Sequence, residues 1–217
     1  FRAHMGRLES GCRFLNLETP SGVATACSEV VEANGLVGAD ARVRVVVWRC
    51  GAASEPGRPD AVHVACYALP VDQAALDRRR SRGLRLLTLS PSRVPGDRLH
   101  NHKHLNALPA LLARMRCDRE GADDAFYVNA RGEICEAVWS NVFVLGADGV
   151  TLRTPPVESP CLPGITRGII LKLAAELGLA AREEPVTRED LLVAREVFLT
   201  SSVSEIMPVI AVDGQPI

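Results

Sequence analysis

The chain has 217 residues, 47% of them hydrophobic and 24% charged, enough apolar content for one or two cores and too much for a disordered, collagenous or low-complexity chain. A formal charge of -1, from 25 basic and 26 acidic residues, gives no bulk attraction to nucleic acid or to an anionic membrane, so neither is an expected partner. Seven dispersed cysteines without a CxxC pair argue for reduced thiols in the cytoplasm rather than a disulfide frame or zinc knuckles.

No run reaches the roughly 18 to 20 apolar residues of a spanning helix, and no leader pattern opens the chain, which starts at Phe1 as if residues preceded it. Met5, Leu8, Cys12 and Leu15 recur at steps of three and four and predict an opening amphipathic helix. A second helix runs from about Gly22 to the Asn34-Gly35 stop. Val43 to Trp48 and His63 to Ala68 read as strands joined by the Gly/Pro-rich segment 51–60, completing a small α+β unit. The basic run RRRSR at 78–82 suits a connection between domains, or a solvated face. We expect a small domain over 1–80 and a larger one over 81–217.

In the second part Leu84 to Leu89 reads as a strand, and Leu105 to Met115 as a helix with Pro109 near its first turn. Ala125 to Val128, Ile134 to Val138, Val142 to Leu145 and Val150 to Arg153 read as antiparallel strands with turns at Ala130-Arg131-Gly132 and Ala147-Asp148-Gly149, an antiparallel sheet or partial barrel. A helix from Ile165 stops at Gly178, another starts at Thr187 with Asp190 as its capping acid, Val197 to Thr200 is a buried strand, and Asp213-Gly214 is a turn.

Neither GxxxxGK[ST] nor a strand-borne GxGxxG is present, which sets aside P-loop and Rossmann chemistry. If residues 100–104 (His-Asn-His-Lys-His) are extended, His100, His102 and His104 share a face and could ligate a metal; with no acid or cysteine nearby, hydrogen-bonded structural histidines are the expectation and no metal is assigned. Lys103 stands just before an apolar helix; partly desolvated there it is a candidate amine nucleophile, and otherwise a surface lysine. LPGITR at 162–167 puts Pro163-Gly164 ahead of a helix, so the Ile165 and Thr166 amides are anion donors or an ordinary helix start. TSSVS at 200–204 offers hydroxyls to an anion or makes a turn. Glu136 lies in an otherwise apolar strand, where a buried carboxylate calls for a positive partner; a surface-facing glutamate is the competing reading.

KHLN at 103–106, GADDAFYVNARGEICEAVWSNVFVL at 121–145, TPP at 154–156, LPGITR at 162–167 and EVFLTSSVSEIMPV at 196–209 together resemble the fold-type IV pyridoxal-phosphate enzymes, which include branched-chain and D-amino-acid aminotransferases and 4-amino-4-deoxychorismate lyase. The resemblance runs from Arg7 almost to the end. It implies an α+β, two-domain, D-amino-acid-aminotransferase-like fold: a small α/β domain, and a larger one with an antiparallel sheet or partial barrel flanked by helices. It implies pyridoxal 5'-phosphate as cofactor, a homodimer, and a small amine or amino acid as substrate. Position by position, it implies that Lys103 holds the cofactor as a Schiff base and shuttles the substrate proton, and that Glu136 pairs with the pyridine nitrogen. It further implies that Ile165 and Thr166 bind phosphate through amides and Ser202 through its hydroxyl, that Arg7 is the phosphate's charged partner, and that Leu162 packs on the ring. For Asn141 it leaves backbone bracing and cofactor contact both open.

The family's N-terminal strand, with its aromatic stretch, and its C-terminal helix are not in the chain. His104-Leu105-Asn106 after the lysine is closer to the lyase and D-amino-acid groups than to the branched-chain enzymes, and the Arg-x-His of the D-amino-acid enzymes is not found after Trp48-Arg49. The expected reaction is therefore conversion of aminodeoxychorismate to p-aminobenzoate and pyruvate, with amino transfer on a branched-chain or D-amino acid as the alternative and a non-catalytic homologue as the third.

Overall fold

The computed structural model describes residues 1–50, 61–89 and 93–217, in two compact units, Phe1–Ala74 and Ala75–Ile217. The expected loop at 51–60 lies outside the described residues.

In the first unit α1 (Arg2–Phe14) buries Cys12, and α2 (Val23–Ala33) buries Val23 and Cys27 before the chain turns at Asn34 and Gly35, whose positive φ of 65° is open to glycine. Strands β1 (Ala41–Cys50) and β2 (Ala61–Pro70) pair antiparallel from Ala41 opposite Pro70 to Cys50 opposite Ala61. The opposed Trp48 and His63 stack with ring centroids 5.5 Å apart, a cross-strand pair that helps fix the register.

The second unit holds α3 (Gln73–Arg82, which begins just before it), β3 (Leu84–Thr88), a 3-10 turn at Arg98–Asn101, α4 (Leu108–Glu120), β4 (Asp124–Val128), β5 (Ile134–Ala137), β6 (Asn141–Leu145), β7 (Thr151–Thr154), α5 (Ile165–Glu176), β8 (Ala180–Glu183), α6 (Arg188–Leu192), β9 (Glu196–Ser201), β10 (Glu205–Val212) and β11 (Gln215–Pro216). The basic run at 78–82 is the end of α3 and makes no linker. Pro109 sits in the first turn of α4, where its missing N–H has no partner to lose, and Thr187 with Asp190 forms a reciprocal capping box on α6.

The sheet runs β5-β4-β3-β10-β9-β6-β7-β8, with β11 on β10. It is mixed rather than purely antiparallel: β3 pairs parallel with both β4 and β10, and β7 parallel with β8. Of the adjacent strands read in sequence, β4 with β5 and β6 with β7 are antiparallel ladders, whereas β5 and β6 lie in different parts of the order. The sheet is a curled half-barrel flanked by helices.

Its two faces follow from period-2 alternation. Val142, Val144, Val197 and Leu199 point into the main core with Leu84, Leu86, Phe126, Ile134, Ala137, Met207 and Val209. Phe143 and Phe198, stacked at 5.2 Å, point the other way and pack with Leu152 and Ala174 of α5. By the same alternation Asn141 and Thr200, directly opposed in the β6–β9 register, share the α5 face.

Candidate active site

Glu136 is placed by a defect in the sheet. The β4–β5 ladder slips between Tyr127 and Val128, so both Ile134 and Ala137 reach the core while Glu136 stands opposite Tyr127; bulges of this kind re-aim a side chain. The glutamate side chain is 13% exposed and accepts from the Leu162 amide at 3.0 Å and from Arg93 Nη2 at 3.3 Å. The Arg93 guanidinium lies over the Tyr127 ring, 4.1 Å from its centroid, a cation–π seat across the Tyr127–Glu136 pair. Burial pushes the Glu136 carboxyl up to about 7, against the downward pull of the Leu162 amide, Arg93 and Lys103. The partners present do not fully offset the burial, which is the largest cause of the shift.

Lys103 lies close enough to Glu136 for its ammonium to act on that carboxyl. Two residues earlier, Asn101 donates through Nδ2 to the Val157 and Cys161 carbonyls, both at 2.9 Å, and so ties the lysine segment to the loop that delivers Leu162. His100 lies in the 3-10 turn, so 100–104 is not one extended strand and the shared-face reading of the three histidines fails. Among the described residues no three His, Cys, Asp or Glu are grouped to hold a metal ion.

The loop before α5 is held from both sides. Asn141 Nδ2 donates to the Leu162 carbonyl at 2.7 Å, and a Cβ on Gly164 would come within 2.0 Å of Asn141 Oδ1. That close approach is why position 164 is glycine, and it makes Asn141 a backbone brace. Arg167, 5% exposed, donates from Nη2 to the Pro155 carbonyl at 2.9 Å and to Glu183 Oε2 at 2.6 Å, locking the Thr-Pro-Pro segment to the first turn of α5. Gly164 caps α5 without a side-chain hydrogen bond, so the Ile165 and Thr166 amides remain donors at the positive end of the helix dipole. The Thr200 hydroxyl, opposite Asn141 on the same face, is buried with no hydrogen-bond partner.

A planar, cationic nitrogen heterocycle carrying a phosphate fits this set. It would supply a further cationic N–H to the buried Glu136, an anion for the Ile165 and Thr166 amides, and a partner for the orphaned Thr200 hydroxyl. Of the residues singled out in the sequence, Lys103, Glu136, Leu162, Ile165 and Thr166 belong to one connected set of strands and loops. Ser202 lies exposed in the turn from β9 to β10, just past Thr200. Arg7 lies on α1 of the first unit, half-buried, its proton affinity lowered by that burial. Arg93, Asn101, Tyr127 and Arg167 were not anticipated, although Arg167 had a cue as the arginine ending LPGITR. Thr200 opens the hydroxyl run TSSVS, from which Ser202 alone was assigned to the phosphate.

The amino-transferase class IV family model matches residues 1–212. A provisionally named branched-chain-amino-acid aminotransferase of Methanocaldococcus jannaschii is 34% identical over 100% of this chain and 74% of its own length. The solved branched-chain aminotransferase of the thermophilic archaeon Thermoproteus uzoniensis, crystallised with norvaline, superposes with a TM-score of 0.89 at 31% identity over 100% of this chain and 72% of that one. A provisionally assigned 4-amino-4-deoxychorismate lyase of Legionella pneumophila shares the fold, with a TM-score of 0.89 at 22% identity over 99% of this chain and 78% of that one.

Proposed function

The chain belongs to the class IV amino-transferase family and is a pyridoxal-phosphate-dependent enzyme of fold type IV; from that premise we propose that it moves the amino group of a small amino acid, with Lys103 as the working amine and Glu136 as the partner of the cofactor's ring nitrogen. The single observation behind this reading is the pairing itself: a lysine close enough to act on a carboxyl whose proton affinity burial keeps high despite Arg93. When bound, the cofactor supplies an electron sink for charge developing on the substrate carbon.

The protein's own residues do the rest. Glu136 holds positive charge at the ring nitrogen, with Arg93 and the Leu162 amide keeping the carboxylate oriented. Ile165 and Thr166 would hold the phosphate through backbone amides and Ser202 through its hydroxyl, while Leu162 would cover one ring face. Lys103 takes the proton from the amine-bearing carbon through Nζ and returns it, as general base and then general acid.

Relatives at 34% and 31% identity carry branched-chain aminotransferase names, which favours amino transfer on a branched-chain amino acid. The lyase reading rests on one specific feature, His104-Leu105-Asn106 after Lys103, together with a shared fold. An assay of the purified protein separates the two. Turnover of leucine, isoleucine or valine with 2-oxoglutarate, giving glutamate, is the expected result. Release of p-aminobenzoate and pyruvate from aminodeoxychorismate, without amino transfer, would establish the lyase instead.

The working unit is proposed to be a homodimer. Leu108, Leu111, Leu112 and Met115 of α4 are each at least half exposed, an apolar row that a second copy would cover. Light scattering is expected to give twice the chain mass, and Leu111→Glu with Leu112→Glu to give one. A reducing, cytoplasmic setting fits the free thiols at Cys12, Cys27, Cys66, Cys117, Cys135 and Cys161. No described helix is long and apolar enough to cross a membrane.

A further inference from the structure

Two buried nitrogens beside the candidate site have no hydrogen-bond partner, Arg93 Nη1 and His104 Nδ1. Arg93 uses Nη2 on Glu136 and stacks on Tyr127, leaving the Nη1 hydrogens unanswered. Both atoms are shut off from bulk water, where an unpaired donor and an unpaired acceptor are each costly. Their characters are complementary: a guanidinium nitrogen only donates, and the Nδ1 of a neutral imidazole protonated on Nε2 only accepts. Of the charged groups around His104, Arg93 acts on it most strongly.

We infer that His104 is a positioning residue for the active site: its neutral imidazole accepts at Nδ1, through one buried water, the hydrogen bond that Arg93 Nη1 lacks, and so fixes the guanidinium against Glu136. The inference rests on the proposed pairing of Glu136 with the cofactor. It adds a residue that acts through Arg93 and touches neither cofactor nor substrate.

The surroundings favour the neutral form. Burial and the charges of Arg93, Lys103 and His102 all push the His104 proton affinity down, and Asp97 alone pulls it up. The His100 ring lies 5.8 Å from that of His104, tilted by 57°, with its Nε2 3.6 Å from Asp97 Oδ2. Protonating His104 would turn the acceptor into a donor facing a cation. Arg93 would then lose the contact that fixes it against Glu136.

The test compares His104→Asn with His104→Leu. Asparagine places Oδ1 where Nδ1 stood, so it accepts without titrating; leucine offers nothing. Pyridoxal phosphate affinity is measured by titrating cofactor-free protein at pH 8, where the Glu136 carboxyl is ionised, after circular dichroism shows that both variants are folded. His104→Asn should bind like the native protein, and His104→Leu should bind about tenfold more weakly, the effect of one unanswered buried donor.

Imidazole nitrogen shifts in cofactor-free protein give a second readout, with Nδ1 of His104 unprotonated at neutral pH as the expected result. Weakened binding in His104→Asn, native affinity in His104→Leu, or a proton on Nδ1 at neutral pH would each overturn the inference. A native protein that takes up no cofactor would instead overturn the proposed function, and the nitrogen shifts would still decide the state of His104.

Discussion

Lys103→Ala is expected to abolish turnover and the visible absorbance of the bound cofactor together. The general-base share alone predicts a fall of about 10²- to 10⁴-fold, and loss of the covalent tether adds to it. The chain makes this unusually easy to read, because it contains only two lysines, Lys103 and Lys172. Lys172 is exposed on α5 among Leu171, Leu173 and Ala174, remote in sequence from every other site residue except those at the start of that helix. Borohydride treatment of the native protein followed by peptide mass measurement should find the reduced cofactor on Lys103. A small primary amine added to Lys103→Ala should restore part of the proton transfer, since the pocket around the missing Nζ remains. If the adduct maps to Lys172, or Lys103→Ala turns over within about tenfold of native, far short of the loss of a general base, the amine has been placed wrongly.

How much of this could be read from the chain depended on how local each signal was. The Thr187–Asp190 box, the Asn34-Gly35 stop and the place of Pro109 in the first turn of α4 were legible because a cap or a first turn is decided by neighbours within four residues. Helix α3 was not. Its sequence QAALDRRRSR has hardly any apolar period; its Leu76 packs on the core, and Arg80 and Arg82 bond to Asp77 and Asp123, so ion pairs and tertiary contact define it. Strand β10 was hidden by Pro208, which normally argues against a central strand. In the fold Pro208 pairs with Phe198 of β9, and the parallel ladder to β3 begins only at Val209, so the absent N–H falls where β3 does not need it. Glu136 was legible as an anomaly, a carboxylate in an apolar strand. Its partner Arg93 was not, being 43 residues away in a proline-flanked stretch with no periodicity to mark it. Thr200 stood in a run of hydroxyl residues, and only the β6–β9 register, which sets it opposite Asn141, singles it out.

Glu136→Gln is expected to change sign between the cofactor-free and the loaded protein, and that reversal is the more demanding check on the site. With no cofactor bound, burial holds the Glu136 carboxyl near 7, above its ordinary 4.5. Below about pH 4.5 the carboxyl is protonated in both folded and unfolded chains and contributes nothing to the difference. As pH rises from there the unfolded chain ionises first, so the folded state loses stability until the folded carboxyl also ionises near pH 7, and the loss is constant above that. A shift of this size corresponds to about 3 kcal/mol, an upper figure since the 13% exposure leaves some solvent screening. Glutamine never ionises, so cofactor-free Glu136→Gln should match the native protein in acid and exceed it in denaturant unfolding at pH 8. With cofactor bound the comparison inverts. The carboxylate then faces a protonated ring nitrogen, a charge-assisted hydrogen bond of about 1.5–3 kcal/mol that an amide cannot equal, and turnover of the variant should fall by about 10- to 10²-fold. A variant that is more stable when empty yet slower when loaded is the mark of a carboxylate kept at a folding cost for its work on the ring. Equal stability of the two empty proteins at pH 8, or undiminished turnover, would place Glu136 on the surface and the ring nitrogen elsewhere.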